Sequence, residues 1–281
     1  MVRLIADSGS TKTSWCLTDG EHEQEFKTQG VNPYQQTEDE IFYQFQRELM
    51  PEVGNADEIH FYGAGCTAEK SPVVASALRR SISTSATIFV GSDMLGAARA
   101  LCADQEGIVS ILGTGSNSCL YDGTSIVENV SPLGYVLGDE GSGAYIGKRL
   151  VGNCLKRQFS ASTCQLFTEE TNLSAAAIIN KVYREPFPNR FLASLSPFCA
   201  RHRDIPEIHD FLTDCFREFF VRNIALYARP ELPVHFIGSV ACNYQQEVEQ
   251  VARTLGYQLG KIEQTPLNGL IKYHHSHASE N

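Results

Sequence analysis

The chain has 281 residues, of which 42% are hydrophobic and 20% charged, so it can bury a large core and is not a disordered segment. Its formal net charge of -10, from 23 Lys+Arg against 33 Asp+Glu, opposes binding to nucleic acid or anionic membranes. No apolar run approaches the roughly 20 residues of a membrane span, and Asp7 comes too early for a signal peptide. We expect a cytoplasmic protein whose nine singly spaced cysteines are reduced.

The first hundred residues alternate between strand and helix patterns. A meander of short strands comes first, and helical apolar spacing begins at Thr37. Strands are predicted at 2–6, 13–17, 25–28, 58–62 and 87–90. Helices are predicted at 37–50, 73–82 and 94–102. Strands that alternate with helices favour a sheet with parallel strands after the opening meander.

The second half begins with another meander at Gly107 and becomes largely helical over 141–228, with an insert-like stretch at 186–197. It closes with a strand at 234–237, a helix after Gly238, a short strand at 257–259 and a helix from Pro266. The imidazoles of the last helix could bind a metal, but chain ends are usually frayed, and we expect no site there.

The two halves resemble each other in sequence. Residues 111–123 (ILGTGSNSCLYDG) echo residues 5–10 (IADSGS) followed by 16–20 (CLTDG). Each reads as a strand, a turn of small residues, a second strand and an Asp-Gly turn. Although any two hairpins share some of these features, the match favours a duplicated domain with a boundary within 103–107.

Two turns of small residues, 7–12 and 113–117, could bind phosphate, because glycines admit a ligand close to the main chain and successive N–H groups donate to phosphate oxygens. Either turn alone could be an ordinary tight hairpin. The chain has no G-x-x-x-x-G-K-[ST] motif, and Gly113-x-Gly115 precedes a strand instead of opening a helix. P-loop and dinucleotide-binding folds are therefore disfavoured.

Three acidic positions could carry chemistry. Asp7 ends the first strand beside a phosphate-type turn, where its charge would repel a nucleotide unless Mg²⁺ or its bound water lay between them. Asp93 opens a helix, so it is either an N-cap or a base that accepts a proton from an attacking hydroxyl. Asp139 and Glu140 also precede a helix, and capping alone could explain them.

Together these motifs resemble the actin-like, sugar-kinase and heat-shock ATPase superfamily, and within it the N-acetylglucosamine kinase and BadF/BadG/BcrA/BcrD-type ATPase group. Residues 7–12, 112–116 and 236–241 look like its two phosphate motifs and its adenosine motif, in that order. Segments similar to those that N-acetylhexosamine kinases place around the sugar are 30–33, 92–98, 115–117 and 134–142.

The resemblance covers nearly the whole chain. It implies an α/β fold of two duplicated RNase H-like (actin-like ATPase) domains, with nucleotide and sugar in a cleft between them. The implied domains are 1–104 and 105–281, the second with helical additions. The resemblance is also compatible with a homodimer.

Carried over by position, the resemblance implies ATP and Mg²⁺ as cofactors and an amino sugar as substrate. Asp93 would be the catalytic base at the sugar, and the residues that bond sugar hydroxyls would be Asn32, Asn117 and Asp139. Asp7 would hold Mg²⁺ through water. The residues at the nucleotide would be Asp7, Gly9, Ser10, Thr11, Lys12, Gly113, Thr114, Gly115, Ser116, Gly238 and Ser239. The implied reaction is in-line phosphoryl transfer to a sugar hydroxyl, on C6, of N-acetylglucosamine or a relative such as N-acetylmuramic acid or glucosamine.

Two other functions remain open. ATPases of the same group energise electron transfer to a dehydratase and carry an iron–sulfur cluster, which needs closely placed cysteines. The best candidates, Cys102, Cys119, Cys154 and Cys164, are not clustered in the sequence. A regulator that binds sugar or nucleotide without turnover is the second alternative, although a pure binder has no need of a base at Asp93.

Overall fold

A computed structural model of the chain describes residues 1–9, 11–82 and 86–277. The described chain divides into two compact units. Unit 1 comprises Met1–Gln105, Asp122–Ile126 and Thr265–Asn281, and unit 2 comprises Glu106–Tyr121 and Val127–Gln264. Each unit is built on one five-stranded sheet, which confirms the predicted α/β class. The domain bounds 1–104 and 105–281 stay a prediction; the compact units differ from them chiefly because the C-terminal segment packs with unit 1.

The sheet of unit 1 has the order β3-β2-β1-β4-β5. Its strands are β1 (Arg3–Ser8), β2 (Lys12–Thr18), β3 (Glu23–Gln29), β4 (Glu58–Gly63) and β5 (Thr87–Ser92). The pairs β1–β2 and β2–β3 are antiparallel, whereas β1–β4 and β4–β5 are parallel. The predicted opening meander and the parallel strands after it are therefore confirmed.

Four helices cover the two faces of this sheet: α1 (Glu38–Glu48), α2 (Ser71–Ser81), α3 (Asp93–Cys102) and the last helix of the chain, α13 (Leu267–Ser276). A buried aromatic cluster of Trp15, Phe45 and Phe61 lies on the face covered by α1 and α2. On the other side, Leu267 and Leu270 of α13 share a buried cluster with Ile5 of β1. The C-terminal helix thus completes the core of the N-terminal strands.

The sheet of unit 2 repeats this topology, with the order β10-β9-β6-β7-β8. Its strands are β6 (Glu106–Leu112), β7 (Ser116–Asp122), β8 (Ile126–Glu128), β9 (Val234–Ile237) and β10 (Leu259–Glu263). As in unit 1, the first strand pairs in parallel with the fourth, and the fourth with the fifth. Both Asp-Gly turns place their glycine at positive φ, 102° at Gly20 and 95° at Gly123. The internal duplication predicted from the echo is confirmed in strand order and in turn geometry.

Between β8 and β9 the chain is mainly helical, as predicted. The elements are α4 (Gly134–Leu137), α5 (Gly143–Leu155), α6 (Ala161–Thr171), α7 (Ala175–Tyr183), α8 (Pro188–Leu195), α9 (Pro197–Arg201), α10 (Pro206–Arg222) and a 3-10 turn (Ile224–Tyr227). Two more helices, α11 (Ser239–Asn243) and α12 (Gln245–Thr254), separate β9 from β10. Phenylalanines 211, 216, 219 and 220 of α10 are buried in the core of the unit.

The stretch 186–197, which was predicted to be insert-like, is mainly helical. Most of it forms α8, which packs closely on α5. A Cβ atom on Gly147 would come within 1.9 Å of the Leu192 carbonyl oxygen, and one on Gly143 within 3.1 Å of the Ala193 Cβ. Glycines one helical turn apart therefore let the two backbones meet, and Pro188 at the first helical turn is compatible with a helix start. The last strand also differs from its prediction: it spans Leu259–Glu263 instead of 257–259.

Candidate active site

The carboxyl end of the parallel strands in unit 1 brings Asp7 and Asp93 to one edge of the sheet. Ser8 of β1 is level with Gly63 of β4, and Gly63 is level with Ser92 of β5. Asp93 follows Ser92 directly, so its backbone lies two strand spacings, about 10 Å, from the end of β1. Two acids far apart in sequence thus share one edge of the sheet, and this is where ligands bind in open α/β sheets.

Both carboxylates have a raised pKa, and the charge of Asp93 contributes to the shift of Asp7. Burial, and then the charge of Asp93, raise the pKa of Asp7 to about 7, and Lys12 opposes this shift. Burial also raises the pKa of Asp93, while hydrogen bonds from the backbone N–H groups of Met94 and Asp93 itself oppose the rise. Perturbed carboxylates that gather at a ligand-binding edge are typical of a functional site.

Asp93 is not the N-cap of α3, which was its simpler interpretation. The cap is Ser92, whose side chain accepts a hydrogen bond from the Leu95 N–H at 3.1 Å. Asp93 is the first helical residue, and its Oδ1 accepts from the Met94 N–H at 2.8 Å. Because Ser92 caps the helix, capping does not account for an aspartate at position 93.

Asn32 lies against the turn that follows β4. A Cβ atom on Gly65, where φ is +78°, would be 2.6 Å from the Asn32 Oδ1 atom. That oxygen accepts from the Tyr34 N–H at 3.0 Å, and the neighbouring Val31 N–H donates to the Ser8 hydroxyl at 3.1 Å. Asn32 therefore lies at the same edge as the end of β1. Only glycine fits at position 65 of this turn. Gly65 was visible in the sequence, but its contact with Asn32 was not predicted.

The turn between β1 and β2 contains the predicted first phosphate motif. The Gly9 N–H donates to the Lys12 carbonyl at 3.0 Å, and Thr11 and Lys12 are exposed. Ser10, also predicted to bind the nucleotide, lies outside the described residues. This hydrogen bond is that of a tight hairpin, and the polar residues Thr11 and Lys12 follow Asp7 by four and five positions in the sequence.

In unit 2 the predicted second phosphate turn is hydrogen-bonded to the start of α5. The N–H groups of Gly143 and Ala144 donate to the carbonyls of Gly113 and Thr114 at 2.8 and 3.0 Å. Within the turn, the Gly113 N–H donates to the Gly115 carbonyl at 2.9 Å. The first amide groups of a helix thus bind the carbonyl side of this turn.

Asp139 lies on the same turn. A Cβ atom on Gly115 would be 2.9 Å from its Oδ2, and the Ser116 backbone N–H hydrogen-bonds to its carboxylate. Burial raises the pKa of Asp139 to about 6, although the Ser116 hydrogen bond opposes this. The backbone of Asp139 has a φ of 56°, a conformation that non-glycine residues rarely adopt and that is often found at functional sites. Its neighbour Glu140 forms an ion pair with Arg222 at 3.3 Å.

Asn117 is held by a residue that sequence reasoning missed. Its Oδ1 atom accepts from the Ser118 N–H and from the Nδ2 of Asn129, both at 2.9 Å. Since the oxygen is bound on the protein side, the Nδ2 of Asn117 is the atom suited to donate to a ligand. Asn129 lies 12 residues away, just after β8, and no local pattern links the two positions.

The predicted adenosine motif lies beside the second phosphate turn. Gly238, with a φ of 122°, sits so close to β6 that a Cβ atom there would be 2.2 Å from the Leu112 carbonyl oxygen. Ser239 follows as the first residue of α11. Leu112 directly precedes Gly113, so Gly238 borders the turn. Unit 2 therefore gathers Gly113–Ser116, Asn117, Asp139 and Gly238, and unit 1 gathers Asp7, Asn32 and Asp93. That these two clusters share one ligand stays a prediction.

The acids of unit 1 are compatible with Mg²⁺ that is bound mainly by water and phosphate. Among the described residues, no group of three or more His, Cys, Asp or Glu side chains is placed to hold a metal ion. Mg²⁺ usually keeps several waters and uses one or two carboxylates with substrate phosphates, so this finding suits it. Burial, and then the charge of Asp93, raise the pKa of Asp7. A bound cation would therefore stabilise the ionised form of Asp7.

The cysteines that an iron–sulfur cluster would need are distributed over both units. Cys102 belongs to unit 1, and Cys119, Cys154 and Cys164 belong to unit 2. The side chains of Cys154 and Cys164 interact, and burial raises the pKa of Cys154 to about 12. These thiols are free of disulfides.

In the described chain no helix has both the length and the apolar character needed to cross a bilayer.

Comparison with solved structures shows what the chain resembles. A protein of Porphyromonas gingivalis, provisionally named an N-acetylglucosamine kinase, is 50% identical, with 98% of this chain and 99% of that chain covered and a TM-score of 0.94. A protein of the same provisional name from Chromobacterium violaceum is 19% identical over 97% and 98% of the two chains, with a TM-score of 0.72. A glucokinase of the ROK family from Streptomyces griseus, solved with glucose and AMPPNP, shares 12% identity over 97% and 98% of the chains, with a TM-score of 0.59. No protein-family model and no curated protein sequence matches the chain. The likenesses confirm the actin-like sugar-kinase fold.

Proposed function

Because the chain belongs to the N-acetylglucosamine kinase family of actin-like sugar kinases, we propose that it transfers the γ-phosphoryl group of ATP to an amino sugar. The acceptor is the C6 hydroxyl of N-acetylglucosamine or of a close relative such as N-acetylmuramic acid or glucosamine. The observation that carries this proposal is the pair of carboxylates with raised pKa, Asp7 and Asp93, at the carboxyl edge of the first sheet.

In this reaction Asp93 binds the acceptor hydroxyl and takes its proton as the oxygen attacks phosphorus. Its burial supports this role, since a raised pKa brings a carboxylate nearer to the working pH of a general base. The Met94 N–H holds the Oδ1 atom of the carboxylate and so restricts how the Asp93 side chain is oriented. Asp7 would hold Mg²⁺ through water, and the ion supplies neutralisation of the charge on the β- and γ-phosphates.

The remaining site residues bind and orient. The Gly113 N–H and the Ser116 N–H already bond the Gly115 carbonyl and the Asp139 carboxylate. Since α5 occupies the carbonyl side of this turn, the N–H groups of Thr114 and Gly115 are the ones we expect to face phosphate, together with Gly9–Lys12 of the first turn. Gly238 and Ser239 would lie against adenosine. Asn32, Asn117 and Asp139 would bond the sugar hydroxyls, with Asn117 donating through Nδ2. We propose that the enzyme works in the cytoplasm, and that a homodimer is compatible with this activity.

The test is a panel of amino sugars in a coupled ADP-release assay, with wild type, Asp93→Asn and the exposed control Asp210→Asn. Asparagine keeps the acceptor for the Met94 N–H, so α3 and nucleotide affinity should survive while turnover falls by about 100-fold or more. NMR of the product shows which carbon carries the phosphate. Unchanged turnover in Asp93→Asn would remove the base assignment, and sugar binding without ADP release by wild type would indicate a non-catalytic regulator.

A further inference from the structure

A buried tyrosine lies beneath the helix that begins with Asp93. Tyr62 is on β4, level with Asp7 of β1 and with Gly91 of β5. Its side chain packs under α3 so closely that a Cβ atom on Gly96 would be 2.8 Å from the Tyr62 Cβ. Tyr62 therefore contacts the middle of the helix whose first residue is the proposed base.

A chain of hydrogen bonds runs through this tyrosine. The Nη1 of Arg99, on α3, donates to the Tyr62 hydroxyl at 2.8 Å, and that hydroxyl lies 3.0 Å from the Nε2 of His274 on α13. A guanidinium can only donate, so the phenolic oxygen accepts from Arg99. The direction of the second bond depends on the tautomer of His274, and a neutral imidazole makes this bond in either tautomer.

The surroundings of His274 favour this neutral form. Its ring stacks on His60 of β4 with centroids 3.8 Å apart. Burial, followed by the charges of His60, Arg99, Arg3 and His277, lowers the pKa of His274 to about 2. Of the C-terminal imidazoles considered for a metal site, this one is buried and bonded within unit 1.

Helix α13 packs against α3 at further points. The Arg99 guanidinium lies 5.3 Å from the ring centroid of Tyr273 on α13 and 4.9 Å from that of Phe89 on β5. A Cβ atom on Gly269 would be 2.5 Å from the Ala100 carbonyl oxygen. Arg99 is six residues, or about 9 Å of helix, from Asp93. A helix of ten residues moves as one body over that distance, so fixing its far end fixes the carboxylate at its start.

We propose that the C-terminal helix positions the catalytic base: His274 and Tyr62 are positioning residues that hold α3, and through it Asp93, in the geometry needed for proton transfer. This inference rests on the proposed kinase function. A misplacement of about 1 Å in an active site can lower turnover about 100-fold, so a modest release of α3 is measurable.

The test compares His274→Leu and Tyr62→Phe, which break the chain, with His274→Gln, whose side-chain amide can still donate to the Tyr62 hydroxyl or accept from it. The matched control is Leu270→Val, which loosens the packing of the same helix in the same apolar cluster without touching a hydrogen bond. We expect His274→Leu and Tyr62→Phe to lower kcat by about tenfold, with the sugar KM changed less than about threefold because the residues that contact sugar are untouched. His274→Gln should stay within about threefold of wild type.

Hydrogen exchange gives a second readout that needs no activity. The Met94 amide donates to the Asp93 carboxylate, so its exchange rate measures how well the start of α3 is held. We expect that rate to rise by about tenfold in His274→Leu and Tyr62→Phe, and to match wild type in His274→Gln and Leu270→Val.

The outcomes separate the two ideas. If Leu270→Val and His274→Leu lose equal turnover at equal loss of melting temperature, or if Met94 exchange is the same in all variants, α13 is only a packing element and the inference is wrong. If wild type phosphorylates no sugar in the panel, the proposed function fails, while the Met94 exchange rates still decide whether the helix holds Asp93.

Discussion

Replacing Asp7 by asparagine should stabilise unit 1 at alkaline pH and leave it nearly unchanged at acid pH. The folded chain holds a proton on Asp7 up to about pH 7, whereas the unfolded chain releases it near the usual 3.8. Between these values the native state binds more protons than the unfolded state, so the free energy of unfolding falls as pH rises and levels off above about 7. Asparagine has no proton to lose and escapes this penalty.

The pKa values set the size of the effect. At about 1.4 kcal/mol per pKa unit, the rise from 3.8 to about 7 corresponds to a ceiling of about 4 kcal/mol, of which about 3 kcal/mol is lost between pH 5 and pH 8. The Asp7 side chain is partly exposed, and solvent screening reduces this to about 1–2 kcal/mol. The advantage of Asp7→Asn over wild type should therefore grow by that amount from pH 5 to pH 8.

Urea unfolding followed by tryptophan fluorescence measures this directly. Trp15 is the single tryptophan of the chain, and it is buried in the core of the unit that holds Asp7. The exposed substitution Asp210→Asn, in unit 2, is the control and should show no growing difference. Adding MgCl₂ at pH 8 should stabilise wild type more than Asp7→Asn, since a cation stabilises the ionised carboxylate. An Asp7→Asn advantage that is equal at pH 5 and pH 8 would refute the argument from desolvation.

Glycine substitutions give two further predictions. Gly147→Ala should lower the free energy of unfolding by about 1–3 kcal/mol because its Cβ meets the Leu192 carbonyl. Gly152→Ala, in the same helix with open space around it, should raise that free energy by about 0.5–1 kcal/mol; equal effects in urea unfolding followed by circular dichroism would contradict the close packing of α5 and α8. Gly238→Ala should lower it by at least about 2 kcal/mol, since positive φ and the Leu112 carbonyl both oppose a side chain, and it should weaken ATP binding in calorimetry. Wild-type affinity and stability in Gly238→Ala would contradict the placement of that backbone.

Local signals in the sequence predicted most of the elements that position the site. The echo between residues 5–20 and 111–123 identified two hairpins that the structure places at the same point of two like sheets. The short apolar run at 2–6 located β1 within two residues, because a strand that is buried on both faces has an almost continuous apolar sequence. Asp7 and Asp93 were found because each ends or follows a strand.

Features that depend on contacts distant in sequence were not predictable in this way. Asn129 reaches Asn117 through a side-chain hydrogen bond, and Gly65 accommodates Asn32 across the sheet edge. Helix α8 was not predicted, because the stretch 186–197 was interpreted as insert-like, although Gly143 and Gly147, one turn apart, marked a surface where another backbone could approach. Asp93 was open to interpretation as a cap until the structure showed Ser92 in that role.

The route of the chain has a consequence for how the protein is made. The strands of unit 1 are translated before unit 2, whereas α13, which covers one face of them, is translated after it. All residues of unit 2 have been synthesised before α13 is made. Until then, one apolar face of the sheet of unit 1 stays uncovered. Deletion of residues 265–281 should accordingly destabilise unit 1 more than unit 2, and a nascent chain stalled before residue 265 should be the species that chaperones retain.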